Sequence, residues 1–90
     1  MKPKKYRSRP TYVEAMQWPK EHNQEREEII RWVERNGGKC VVTESGALRL
    51  LNDLLDMYIH DGNYIVKDQR SRFIAYDKKE FERRFEQVFG

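Results

Sequence analysis

Few side chains in this sequence are suited to chemistry, and their spacing decides what they can do. The histidines are His22 and His60, and Cys40 is the single cysteine. Together they match no zinc-ligand spacing, because a structural zinc needs four thiolate or imidazole groups brought close by short motifs. His22 reads as a solvated turn residue, and His60 beside Asp61 as a polar contact at a turn. Cys40 lies in a β-prone run, where it reads as a small apolar core residue. Pairing it with His60 as a nucleophile would require both groups to be exposed and within reach. Ser45 and Ser71 sit in turn sequences without a nucleophile elbow. Gly37-Gly38 lacks the Lys-Ser or Lys-Thr ending of a phosphate loop. Asp53 and Asp56 would share one side of a helical turn, and a solvated face explains them without paired-acid chemistry. The sequence therefore predicts no catalytic centre, metal site or cofactor site, and the chain reads as a binding protein rather than an enzyme.

Charge supplies the next clue. The formal net charge is +3. Lys2, Lys4, Lys5, Arg7 and Arg9 crowd the first ten residues, leaving 13 basic against 15 acidic side chains in the rest. A slightly acidic body thus follows a basic arm, residues 1–10, which Pro3 and Pro10 predict to be extended or flexible. Such an arm can contact phosphates or an acidic protein surface. No apolar run approaches the length of a membrane span or a signal-peptide core. One unpaired cysteine fits a reducing cytoplasm, so an intracellular, non-exported protein is expected.

The elements that would hold these residues are legible from periodicity. Residues 11–90 read as a single domain, and 38% of the whole chain is apolar, enough for one small core. Tyr12–Trp18 predicts a strand with Tyr12, Glu14, Met16 and Trp18 on one side and Val13, Ala15 and Gln17 on the other, ended by Pro19. Residues 23–35 predict a helix with an apolar stripe of Ile29, Ile30 and Val33, Trp32 on its edge and Arg26 at one end. Asn36-Gly37-Gly38 stops it. Lys39–Thr43 and Ala47–Leu51 predict a hairpin, Asn52–Asp56 is either a helical turn or a loop, and Met57–Ile59 predicts a brief strand. Gly62 suits a turn needing positive φ. Tyr64–Lys67 and Arg72–Tyr76 form the best hairpin candidate. Asp77 and Glu80 then make an Asp-x-x-Glu capping box for a helix over 77–88, with Phe81 and Phe85 on its buried face. The fold class is α+β, a mostly antiparallel sheet of four to six short strands with both helices on one face.

Two blocks of sequence also carry a resemblance. Lys5-Tyr6-Arg7-Ser8-Arg9-Pro10, followed by Val13-Glu14-Ala15-Met16-Gln17-Trp18, resembles the "KYRKKPVVVEAVQW" opening of a group of small phage and prophage proteins. Asp61-Gly62-Asn63-Tyr64-Ile65-Val66-Lys67, then Phe73-Ile74-Ala75-Tyr76-Asp77 with Phe81 and Phe85, is similar to that group's "PGDYIVKG" and "GEFYPCKPDIFEKTYE" segments. The chain departs from the pattern where His60-Asp61-Gly62-Asn63 replaces Pro-Gly-Asp and where Ala75-Tyr76 replaces Tyr-Pro-Cys. The resemblance implies a phage-encoded protein working in the host bacterial cytoplasm, and it implies no particular activity.

Without chemistry, such a protein acts by occupying another molecule's surface. The leading expectation is a host or phage protein as partner, met by Trp32, Leu51, Leu54, Leu55 and Tyr58. Homodimerisation through an edge strand or the leucine-rich segment is a related expectation. The alternative is a nucleic acid, contacted by Lys2, Lys4, Lys5, Arg7 and Arg9. Against it, acidic residues are interspersed with the basic ones, and no helix-turn-helix, zinc-finger or ribonucleoprotein motif is present.

Overall fold

Strand β2 (Thr11–Gln17) sets the architecture because both of its faces are apolar. In a strand alternate side chains point to opposite faces, and here Val13 and Ala15 are buried on one side while Met16 is buried on the other. A strand of that kind must be covered twice. The computed structural model, which describes residues 3–8, 11–21, 24–52 and 55–88, shows how.

The elements run β1 (Lys4–Ser8), β2, α1 (Gln24–Arg35), β3 (Lys39–Val42), β4 (Leu48–Leu51), β5 (Met57–Ile59), β6 (Tyr64–Lys67), β7 (Phe73–Tyr76), α2 (Lys78–Arg84) and β8 (Glu86–Gln87). All pairings are antiparallel. They make a five-stranded sheet, β7-β6-β2-β1-β8, and a separate three-stranded sheet, β3-β4-β5. The fold is α+β, as expected, but three details differ. The strands form two sheets rather than one of four to six strands. The helices cover opposite faces of the larger sheet rather than one face. Lys4–Ser8, within the expected arm, is an internal strand of that sheet.

Each difference has a physical cause. Tyr64, Ile65 and Val66 of β6 are buried in succession, so the large sheet needs a cover on each side. Phe81 of α2 closes one side over Val13, Ala15, Tyr64 and Val66. Ile29, Trp32 and Val33 of α1, with Leu48, Leu50 and Ile59 of the small sheet, close the other over Met16, Trp18 and Ile65. β1 is held because Tyr6, paired with Val13, packs edge-on to Phe81 with ring centroids 4.7 Å apart. An aromatic contact of this geometry outweighs the charge-rich composition around it.

The second helix is shorter than its periodicity suggests. Asp77 caps it by accepting from the amides of Lys79 and Glu80. The reciprocal half of a capping box is absent, since the Glu80 carboxylate binds Arg83 and Arg84 instead. Phe85 leaves the helix as an extended C-cap while its ring stacks on Phe81 at 4.9 Å. Freed from the helix, Glu86 and Gln87 pair with Arg7 and Tyr6 as β8. Among the described residues no helix is long and apolar enough to cross a membrane.

Trp18 and Arg26 tie the layers together. Trp18 is fully buried. Its backbone bonds to Asn63 O and the Gly62 amide, and its indole N–H donates to Gly46 O at 2.9 Å. Arg26 lies over the indole, 4.8 Å from the ring centroid, and donates to Pro19 O, Lys20 O and Asp61 Oδ1. Gly46, in the β3–β4 turn, takes φ +90°, a backbone conformation that favours glycine. Gly62 takes φ +84° at the β5–β6 turn, as its sequence context suggests.

Replacing Arg26 with Met should destabilise the fold by about 2–3 kcal/mol, because it strands part-buried carbonyls that lose a charged donor. Asp77→Ala should cost about 1 kcal/mol through loss of the cap. Urea unfolding followed by tryptophan fluorescence measures both, and equal losses in the two variants would contradict this ranking.

Candidate protein-binding surface

The small sheet is built differently from the large one. Its register places Cys40 opposite Leu50 and Leu50 opposite Met57, and places Leu48 opposite Ile59. These side chains face the core beneath. The intervening residues face out, with Val41, Arg49 and Tyr58 in one cross-strand row and Leu51 beside Lys39 in the next. Val41, Leu51 and Tyr58 are 47%, 41% and 49% exposed. An antiparallel sheet commonly turns one polar face to water, so three exposed large hydrophobic side chains on this outward face, beside Arg49 and Lys39, are the unusual feature here.

The loop after β4 extends this surface. Asp56 accepts from the Arg49 guanidinium and, at 3.2 Å, from the Asn52 amide. Those bonds hold the Asp56 carboxyl below its ordinary range, with the Arg49 contact the larger cause. Asn52, Leu55 and Asp56 lie outside any helix or strand, which resolves the reading of this stretch in favour of a loop over its described residues. Closure by Asp56 leaves Leu55 at the rim, 75% exposed. The same guanidinium reaches over Tyr58, 6.0 Å from its ring centroid. Tyrosine and arginine, two types enriched at binding hot spots, thus share one surface with aliphatic groups.

Of the residues predicted to form a protein-binding surface, Leu51, Leu55 and Tyr58 are exposed on or beside this face. Trp32 is not part of it. Its ring, at the edge of the α1 stripe, is nonetheless buried, because Phe73 packs edge-on against it at 5.3 Å. Leu54 lies outside the described residues. Val41 belongs to the surface but was not singled out from sequence; strand alternation from Cys40 and Leu50 inward was the available signal.

The predicted nucleic-acid contacts are placed otherwise. Lys2 and Arg9 lie outside the described residues. Arg7 is bound to Glu86, Nε to Oε1, at 2.6 Å. Lys5 lies 5.8 Å from the Tyr12 ring centroid, and its cross-strand partner is Glu14, which also meets Lys67 at 3.2 Å. Lys4 lines a groove of about 610 Å³ at the end of β2, shared with Lys20, Glu25 and Asp61. Charges of both signs ring that groove, so it offers no net attraction to an anion. Farther along, Arg72 pairs with Asp68, and Arg83 and Arg84 pair with Glu80. Arg7, Arg26, Arg49, Lys67, Arg72, Arg83 and Arg84 are therefore each matched by a neighbouring carboxylate.

The chemical candidates are dispersed. Cys40 is half-buried, and burial pushes its thiol up to about 11, with Glu34 adding to the effect. His60 lies past β5, two strands away and three residues along the ladder from Cys40's row. That separation exceeds about 10 Å, beyond hydrogen-bond reach. Among the described residues no three His, Cys, Asp or Glu side chains form a group able to hold a metal. Beside the groove, the Tyr64 hydroxyl donates to Glu82 at 3.2 Å, and burial followed by that bond raises it to about 12.

Two titrations test this picture. Cys40 should alkylate at pH 8 about a hundredfold more slowly in the folded protein than in urea, because its thiolate fraction is lower by two decades. Tyr64 has a higher pKa folded than unfolded, so its contribution is intact below pH 10 and is lost as pH rises toward 12. Tyr64→Phe should flatten the alkaline fall in stability measured by urea unfolding across that window; an unchanged slope would exclude Tyr64 as its source. Compared with protein-family models, curated proteins and solved structures, the chain finds no match, so the surface is interpreted from its own residues.

Proposed function

We propose that this chain is a small accessory protein of the phage type its opening and closing segments resemble, and that it acts by docking on another protein in the bacterial host cytoplasm. The observation that carries this reading is the outward face of β3–β5. Val41, Leu51 and Tyr58 are exposed there although the core beneath is already filled by Leu48, Leu50 and Ile59. Folding alone does not require apolar residues at those positions. A partner presenting a complementary apolar surface would remove them from water, with Tyr58 and Arg49 supplying the directional contacts.

The pairing of basic side chains supports the same choice over nucleic acid. Phosphate binding gains most when cations are clustered and free to displace counterions. Arg7 and Arg72 each engage a carboxylate, and so do Arg83 and Arg84.

The test is affinity purification from infected cells after nuclease treatment, followed by mass spectrometry, with Tyr58→Ala and Val41→Glu run in parallel. A host or phage protein captured by the natural sequence should bind Tyr58→Ala about thirtyfold more weakly, corresponding to roughly 2 kcal/mol for a hot-spot residue. Undiminished capture by both variants would rule out this face. Capture that nuclease abolishes, together with salt-sensitive binding lost on Lys4→Ala and Lys5→Ala, would favour the nucleic-acid alternative.

A further inference from the structure

The exposed edge of the small sheet has its own geometry, independent of what docks on the outer face. β3 is the terminal strand in the order β3-β4-β5. The Thr43 amide donates to Ala47 O at 2.8 Å. In an antiparallel ladder, hydrogen-bonded and non-hydrogen-bonded pairs alternate. With Val41 opposite Arg49 and Lys39 opposite Leu51, these odd-numbered residues bond inward to β4. Cys40 and Val42 must therefore direct their amide and carbonyl groups away from β4, along the free edge.

Other edges are shielded. β8 is only two residues long, and β7 packs beside β5. β3 presents four regular ladder positions with no proline or bulge, and Val41 and Val42 are both well exposed. Natural edge strands are normally blunted by charge, proline, irregularity or a cover. Lys39 provides such a charge only at one end.

We propose that β3 pairs with the β3 of a second copy of this chain, about a two-fold axis at Val41. A strand related to itself by such an axis must place one residue opposite its own counterpart. Centring on Val41 puts Cys40 opposite the partner's Val42, which is a hydrogen-bonded position for both chains. Two bonds form at each of two equivalent pairs, so the exposed amides and carbonyls satisfy one another. The two Val41 side chains meet on the outer face at the closely spaced, non-hydrogen-bonded position. Charge agrees with this antiparallel sense. Lys39 comes opposite the partner's Thr43, next to the partner's Glu44, at both ends of the pairing. The two small sheets then continue as one six-stranded sheet.

The pairing can be disrupted without removing an intrachain bond. Val42→Pro deletes an amide that points outward, a position where an edge strand tolerates proline. Val41→Lys places like charges directly opposite across the axis. Sedimentation under reducing conditions, from about 10 μM to about 1 mM, should show a monomer–dimer equilibrium for the natural sequence. Each variant should raise the dissociation constant about tenfold or more while retaining its circular dichroism spectrum. If Val42→Pro fails to fold, Val41→Lys and amide exchange carry the test. By NMR, exchange at Cys40 and Val42 should slow as concentration rises, while Val41 and Thr43 remain protected throughout. A monomer over the whole range, or a dimer insensitive to the substitutions, would overturn the proposal. Tyr58→Ala should leave the dimer intact, which separates this edge from docking on the outer face.

Discussion

A buried cation held against a buried indole organises this small domain. Arg26 is 5% exposed, and burying a charge is costly unless hydrogen bonds replace its water. Its bonds to Pro19 and Lys20 carbonyls and to Asp61 meet that requirement while its plane covers Trp18. The indole in turn reaches Gly46 O. This one contact connects the end of β2, the start of α1, the β3–β4 turn and the β5–β6 turn. Helix and small sheet are thereby fixed over the same face of the large sheet.

That attachment has consequences for the two sheets. The larger sheet is covered by α2 on one side and by α1 with the small sheet on the other. It forms the interior. Among the described residues the small sheet is covered only beneath, where Leu48, Leu50 and Ile59 join the core. Its other face is free to present Val41, Leu51 and Tyr58. The face is backed by packed side chains, so the strand register sets the positions of its outward groups. Preorganisation of this kind reduces the entropy lost on binding.

Much of the local structure was legible in the sequence. The Pro19 stop, the Asn-Gly-Gly helix end, the turn at Gly62 and the Asp77 cap each depend on backbone preferences within a few residues. The same is true of the alternation that separates Met16 and Trp18 from Val13 and Ala15. Less legible were features in which a distant contact outweighed local preference. A basic segment became β1 because Tyr6 meets Phe81. The helical period of Phe81 and Phe85 continued past the helix end because Phe85 packs equally well from an extended cap, leaving Glu86 and Gln87 to pair with β1.

The surface divides in the same way. The sequence by itself determined that the 48–58 stretch carries more apolar residues than a surface loop requires, and that Cys40 and the histidines lie in no recognisable catalytic or metal motif. Only the tertiary structure decided that Trp32 belongs to the core while Val41 does not. Side-chain type prescribes a preference for burial, but the cover available at each position depends on which elements meet there. For Trp32 that cover is Phe73, brought from the far end of the chain; over Val41 no other part of the described chain closes.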